Sequence, residues 1–326
     1  MAVAMTDTVL NYSGLLHTKT NDSTRLLNAV YARGRTQGDG IVSTGVKKVN
    51  SIEFALSSDY SIGGGTQPGI SESASLTAPT ETNITRSQEK NCIQIFQEAV
   101  GVSYLKQSAV GTLAGINIAN QQSSVLDEVD FQVAGVMEKI KKDLDYTLIN
   151  GTYQASTGNT VAWKSKGIIN GLTNSKSEYT TLSADFFSEA INTAFGRGFI
   201  FEDGALMMWV NPANLKDINT IYGGLNGFTQ PASRTEGGFA IKTIMTDFGV
   251  LDIDYDQYIP KDTILILNMR ELAIAEMDVP EKGNFFYEEL ARSGAAFKGQ
   301  IYGQAGIDYG AAQKHILLTK SSGGGG

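Results

Sequence analysis

The feature that most constrains this chain is a stretch that has no place in a core. Residues 57–90 carry almost no core-forming side chains; about half are Ser, Thr or Gly, with Gly63-Gly64-Gly65, Gly69 and Pro79 as punctuation. The segments on either side read as strands. From Val49 to Leu56, Ile52, Phe54 and Leu56 alternate with Ser51, Glu53 and Ala55, which is strand period. From about Cys92 to Ser103, Ile93 and Ile95 share one phase and Phe96, Val100 and Val102 the other, a change that implies a bulge or strong twist. Together they predict a long two-stranded ribbon over residues 48–104 with a loosely built tip. An isolated ribbon is marginal in water, and a structureless loop beyond ~15 residues is uncommon in a compact domain. The ribbon is therefore either a disordered surface excursion or an arm that becomes ordered by lying on another subunit.

The clearest helix opens at Ser124. Val129, Val133, Val136, Ile140 and Leu144 recur at spacings of four and three, Leu126 and Met137 widen the stripe, and Asn150-Gly151 is a stop signal. Asp127, Glu128 and Asp130 favour the positive end of its dipole, and Glu138 and Lys142 form an i,i+4 pair. At ~1.5 Å per residue it makes a rod of roughly 40 Å, one-sided enough to lie across a sheet. Two shorter helices follow, one capped by Ser183 with Phe187, Ala190, Ile191, Ala194 and Phe195 as its face, the other capped by Asn211 with Pro212 in its first turn. Ala205–Val210 between them reads as a buried strand. Further strands cluster at Phe239–Thr246, Val250–Tyr255, Ile264–Leu267, Ala296–Gln304 and His315–Thr319. Helices on one mixed sheet, without strict βαβ alternation, make the class α+β. Upstream, residues 1–47 are polar and weakly patterned; one short amphipathic piece around Leu26, Leu27 and Val30 fits a helix of about two turns, with too few apolar residues to pack on itself, and so reads as an arm lying on something else.

Composition narrows the function. A single Cys and two His among 326 residues leave no disulfide framework and little for a Cys- or His-based metal site. With 26 Lys+Arg against 34 Asp+Glu, a net charge of −8 argues against a dedicated nucleic-acid reader. Charged residues are only 18% and Gly numbers 36, values that fit a surface extensively covered by partners. The opening residues have no basic stretch or apolar run, so no secretory leader is expected.

Candidate chemistries fail on their spacing. Asp252, Asp254 and Asp256 share one face of a strand, but an EF-hand counted from Asp252 would need Gly and Glu where Gln257 and Thr263 stand. A solvated face, or one meeting a neighbour's Lys or Arg, is the better reading. Gly63-Gly64-Gly65-Thr66-Gln67-Pro68 lacks the sixth glycine of a dinucleotide loop, and no phosphate-loop, G-x-S-x-G or H-E-x-x-H pattern occurs. Cys92, His17 and His315 have no partner in sequence that would make a nucleophile or ligand. No catalytic residue, metal or cofactor is expected.

Residues Arg86-Ser-Gln-Glu-Lys-Asn91-Cys-Ile-Gln94-Ile95-Phe96-Gln-Glu98-Ala99-Val100-Gly-Val102-Ser103 resemble the second strand of the extended loop in the major capsid proteins of tailed bacteriophages with the Hong Kong ninety-seven type of fold. Further likenesses follow in order. Lys142-Asp143-Leu144-Asp145-Tyr146-Thr-Leu148-Ile-Asn150-Gly151 is similar to the end of the spine helix, and Val210-Asn211-Pro212 with Lys216 to a turn of the axial domain. Asp247-Phe248-Gly249 resembles the turn before its acidic strand; Leu290-Ala291-Arg-Ser-Gly294 and Lys298-Gly-Gln-Ile301-Tyr-Gly303 resemble the closing strands of the peripheral domain. Gln304 departs from the family in standing where an acid is commoner, and the ribbon tip is unusually long.

The resemblance implies a major-capsid-protein fold: an N-terminal arm (1–47), an extended two-stranded loop (48–104), a peripheral domain (105–165) with its spine helix (122–150), an axial domain (166–282), a return to the peripheral domain (283–320) and a flexible tail (321–326). It implies a shell protein forming pentamers and hexamers of an icosahedral phage head around double-stranded DNA, assembled in a bacterial cytoplasm with portal and separate scaffolding or decoration proteins. The ribbon would cover one neighbour, the arm would clasp another, and the loop 223–238 would lie near the capsomer axis. The residues implied in assembly are Ile52, Phe54, Arg86, Asn91, Gln94, Phe96, Glu98, Val100, Val102, Asp143, Asp145, Gly151, Gly223, Gly224, Gly294 and Lys298. An encapsulin-type compartment would share the fold, and an enzyme with an unrecognised active site is the alternative from another class.

Overall fold

A computed structural model describes residues 24–33, 36–37, 41–42, 45–60, 67, 69–81, 86–105, 128–202, 204–223, 243–291 and 294–321. In chain order its elements are α1 (Arg25–Arg33), β1 (Thr36–Gln37), β2 (Ile41–Val42), β3 (Val46–Lys48), β4 (Glu53–Tyr60), α2 (Glu72–Ser75), β5 (Arg86–Cys92), β6 (Gln94–Ser103), α3 (Glu128–Asn150), α4 (Ile168–Gly171), β7 (Lys176–Tyr179), α5 (Ala184–Phe195), β8 (Leu206–Val210), α6 (Pro212–Gly223), β9 (Thr243–Thr246), β10 (Gly249–Tyr255), β11 (Thr263–Asn268), β12 (Ala273–Glu276), β13 (Phe286–Glu289), β14 (Ala296–Asp308) and β15 (Ile316–Lys320).

The longer strands form two principal sheets where the pattern led us to expect one. The larger has six strands in the order β7-β15-β11-β8-β10-β9. Its central strand β8 is buried along its whole length, because both faces are covered. Leu206, Met208 and Val210 meet helices α5 and α6 on one side, while Met207 and Trp209 join the second core on the other. The smaller sheet has five strands, β13-β14-β12-β3 with β6 on the remaining edge of β14. Ten residue pairs, Ala296↔Ser103 to Ala305↔Gln94, make β6–β14 its longest ladder. β15 joins the six-stranded sheet, between β11 and β7, and β12 joins the five-stranded sheet.

Helix α3 lies across the five-stranded sheet. Val133, Met137, Ile140, Leu144 and Leu148 are buried toward it, the apolar stripe having selected the face. Its described 23 residues span about 35 Å at 1.5 Å each; Ser124, Leu126 and Asp127 lie outside the described residues. Gly151 ends it by close approach. A Cβ there would stand 2.5 Å from the Ser165 carbonyl oxygen and 2.6 Å from that of Thr147, and Gly167 N donates to Gly151 O at 2.8 Å. The other helices begin where their caps predicted. Ser183 Oγ accepts from Phe186 N at 3.1 Å, and Asn211 Oδ1 accepts from Ala213 N at 3.0 Å. Phe195 departs from the buried face of α5 and turns to the surface.

Helix α1 corrects the reading of the arm. Leu26, Leu27 and Val30 are fully buried, but against α3, β10 and β12 of the same chain. Three apolar side chains at adjacent helical positions find their cover within the subunit. Residues 1–23 of the expected arm lie outside the described residues.

Candidate assembly interface

The ribbon is shorter at its root than the strand pattern suggested, and differently paired. β4 pairs antiparallel with β5, from Glu53↔Cys92 to Tyr60↔Arg86, with an irregularity between Ala55 and Ser58. The change of phase near Ile93 marks a handover between sheets. β5 ends at Cys92, and after Ile93 alone the chain continues as β6 in the five-stranded sheet. Phe96, Val100 and Val102 are therefore core residues of that sheet and not ribbon contacts. Ile52 precedes β4 and is 44% exposed, while Phe54 is buried. Arg86 stands at the far end of the described ladder, opposite Tyr60.

Asn91 pins the ribbon root. Its Nδ2 donates to the carbonyls of Ile307, at 2.7 Å, and Lys166, at 2.9 Å. Its Oδ1 accepts from the amides of Lys166, at 2.7 Å, and Cys92, at 2.9 Å. One fully buried amide side chain thus joins β5, β14 and the segment before α4, with every hydrogen-bonding position used. Next to it Lys90 Nζ bridges Glu53 at 2.8 Å, and Tyr153 Oη donates to Glu53 Oε1 at 2.8 Å. Lys90 and then Tyr153 hold the Glu53 carboxyl below its usual range. Gln94 Oε1 accepts from Ser165 N at 3.2 Å. Glu98, on the face of β6 that carries Phe96, pairs with Lys139 of α3.

Several surfaces remain open among the described residues. At the ribbon tip, Ile70 and Leu76 are 73% and 85% exposed, flanking the short helix α2 that Ser71 caps. Between β6 and α3 runs a groove of about 400 Å³ lined by Gln94, Glu98, Asp143 and Tyr146 among others. At the β9 edge of the six-stranded sheet, the cross-strand partners Met245 and Val250 are exposed, Met245 at 70%. Phe248, in the turn between them, packs against Phe195 with the rings tilted by 58° and their centroids 5.0 Å apart. The exposed Ile70 and Leu76 of the tip were missed in the sequence, where a lone apolar residue in a polar stretch is the signal that would have found them; the outward Met245 was hidden inside an expected strand.

The other expected residues fall in varied places. Asp143 is exposed, whereas Asp145 is fully buried and accepts from Leu27 N at 3.0 Å. Gly223 ends α6, and Gly224 with the loop to residue 238 lies outside the described residues. Gly294 adopts a positive φ of 84° in open space before β14, a conformation that suits glycine. Lys298 sits on β14 opposite Gly101. The acidic face is also revised: Asp254 pairs with Arg25 of the same chain at 2.9 Å, and Asp256 is buried beyond the end of β10. Burial pushes the Cys92 thiol up to about 11, where it donates to Lys164 O at 3.0 Å. No group of three potential metal ligands occurs among the described residues.

A family model for the SU10 major capsid protein matches residues 6–322. The chain belongs to the SU10 major capsid protein family. Members are structural proteins of bacteriophage capsids, so this chain is a component of the virion shell and not an enzyme. No curated protein matches it. Solved structures share the fold at low identity. A chain of the cyanophage A-1(L) capsid asymmetric unit superposes with a TM-score of 0.60 at 12% identity, covering 98% of this chain and 95% of that one. One from Microbacterium phage Oxtober96 gives 0.51 at 12%, with 98% and 96% covered. The SrpI encapsulin of Synechococcus elongatus PCC 7942 gives 0.50 at 9%, with 84% of each chain covered. The fold is thus common to phage heads and an encapsulin, and the family match places this SU10-type capsid protein with the former.

Proposed function

We propose that the subunit assembles into pentamers and hexamers of an icosahedral head around double-stranded DNA, with the ribbon (β4, α2 and β5) laid over a neighbouring subunit. The observation that carries this reading is the ribbon tip, where Ile70 and Leu76 stand exposed in an otherwise polar stretch. Two apolar side chains on a marginal ribbon gain a role if a neighbour covers them. In the same reading the six-stranded sheet is the core of the axial domain, and its β9 edge, with Met245 and Phe248, meets the next copy around the capsomer axis. Many modest contacts repeated over a closed shell then supply the stability that no single one provides. The net charge of −8 supports an inner wall that contains DNA without gripping it. Portal and scaffolding or decoration proteins complete this picture as separate partners.

The test compares the intact chain with one lacking residues 60–85, by negative-stain microscopy and light scattering. The intact chain is expected to give capsomers or closed shells. The shortened chain is expected to keep its circular dichroism and cooperative unfolding but remain unassembled. Assembly of the shortened chain would refute the role of the ribbon; an intact chain that stays monomeric at high concentration would refute the capsomer reading.

A further inference from the structure

The amino end of helix α1 is held by two buried carboxyl groups from different parts of the fold. Leu26 N donates to Asp256 Oδ2 at 3.1 Å, and Leu27 N to Asp145 Oδ1 at 3.0 Å. Consecutive amides of one helical turn thus bring together a residue of α3 and the residue that follows β10. Asp145 is 0% exposed and Asp256 1%. The second oxygen of Asp256 accepts from Tyr258 N at 2.9 Å. Asp145 Oδ2 is buried and receives a hydrogen bond from no donor among the described residues. A buried carboxylate oxygen with no donor, beside a second buried carboxylate, is costly unless a proton lies between them.

The surrounding charges leave that proton in place. From α1, Arg25 is committed to Asp254 at 2.9 Å and lies over the Tyr255 ring, 4.3 Å from its centroid. From α3, Lys141 stands one turn before Asp145 and is itself buried; its charge acts on Asp145 first and Glu138 second and favours the ionised carboxylate, but burial of Asp145 outweighs it. From β12, Glu276 is occupied by Lys48 at 3.1 Å. We propose that Asp145 and Asp256 share one proton and act as a latch, which keeps helix α1 docked on α3 and the six-stranded sheet while the proton is present and lets it go when the proton leaves. Burial first, and then the neighbouring Asp256 carboxyl, raise Asp145 well above the usual aspartate range; burial likewise raises Asp256. A raised acid belongs in its protonated form to the docked state. Docking is therefore firm at low pH and weakens as pH rises through the docked-state value. This device stands on the subunit alone and is independent of how capsomers are arranged.

Hydrogen–deuterium exchange of the full chain tests it, with protection of residues 26–33 followed from about pH 5 to about pH 9 after correction for intrinsic rates. Protection is expected to fall with pH by up to about tenfold per unit, the limit for one proton, while amides of β8 and β11 hold theirs. Asp145→Asn and Asp256→Asn each replace the shared proton with an amide, and either should flatten the profile. A flat wild-type profile overturns the latch, as does an unchanged slope in a folded variant. If one variant does not fold, the wild-type profile and the other variant decide.

Discussion

His315 is fully buried, and both its ring nitrogens are engaged. Nδ1 lies 3.1 Å from Asn268 N, which donates to it, so Nε2 carries the hydrogen toward Tyr309 O at 2.7 Å. Burial brings its value down to about 4. The unfolded chain takes up this proton near the ordinary histidine value of about 6.5, before the folded chain does. Stability is thus present above that value and is lost as pH falls toward 4, by roughly 3 kcal/mol in all. Urea unfolding from about pH 7 down to about pH 4 should show the loss in wild type and a shallower slope in His315→Gln. Equal slopes would show that other groups carry the acid sensitivity. The residue looked inert in the sequence because its partners, Asn268 and Tyr309, are identified only once β11 and β15 are paired.

The long helix α3 and the residue that ends it supply two glycines with opposite expectations. A Cβ at Gly151 meets backbone oxygens that cannot move aside, whereas one at Gly135 meets nothing within 4 Å. Gly151→Ala should cost about 3 kcal/mol by overpacking. Gly135→Ala should add about 0.5–1 kcal/mol by removing a flexible residue from a helix interior. Urea midpoints of the two variants check both signs. At this scale the sequence was legible wherever the signal is local. The stripe from Val133 to Leu144 gave the face of α3, and Ser183, Asn211 and Pro212 gave the starts of α5 and α6. It was not legible where the partner is distant. Asp145 looks like any surface acid on a helix until Leu27, 118 residues away, is set against it. Likewise Phe96, Val100 and Val102 alternate as a ribbon strand would, and only their ladder with β14 shows that they belong to a sheet core. The candidate interface follows the same division: the polar stretch 57–90 announced a projection, but not which of its side chains would be left uncovered.

For the whole molecule, folding and assembly rest on different residues. The two cores are closed by side chains from both sheets, with α1 and α3 in one and α5 and α6 in the other, while Ile70 and Leu76 lie outside them, exposed. Replacing both with Ser should change subunit stability by no more than about 0.5 kcal/mol, as for surface sites in general, yet abolish or strongly slow assembly seen by light scattering. Normal assembly of the double variant would remove the tip from the interface. The subunit is also bounded in pH from two directions, since His315 penalises acid and the carboxyl pair penalises base.

The handover at Ile93 has a mechanical consequence. Because β5 runs into β6 with one residue between them, tension on the ribbon reaches β6 directly, and any component along its axis acts on the whole strand. The ten pairs that join β6 to β14 are then loaded in shear, sharing the force, instead of being peeled apart one at a time. Forced detachment is governed by a rate, and a ladder of hydrogen bonds lying perpendicular to the pull makes that rate slow. A subunit tugged by its neighbour should therefore yield first in the short β4–β5 ribbon, sparing the sheet that anchors it.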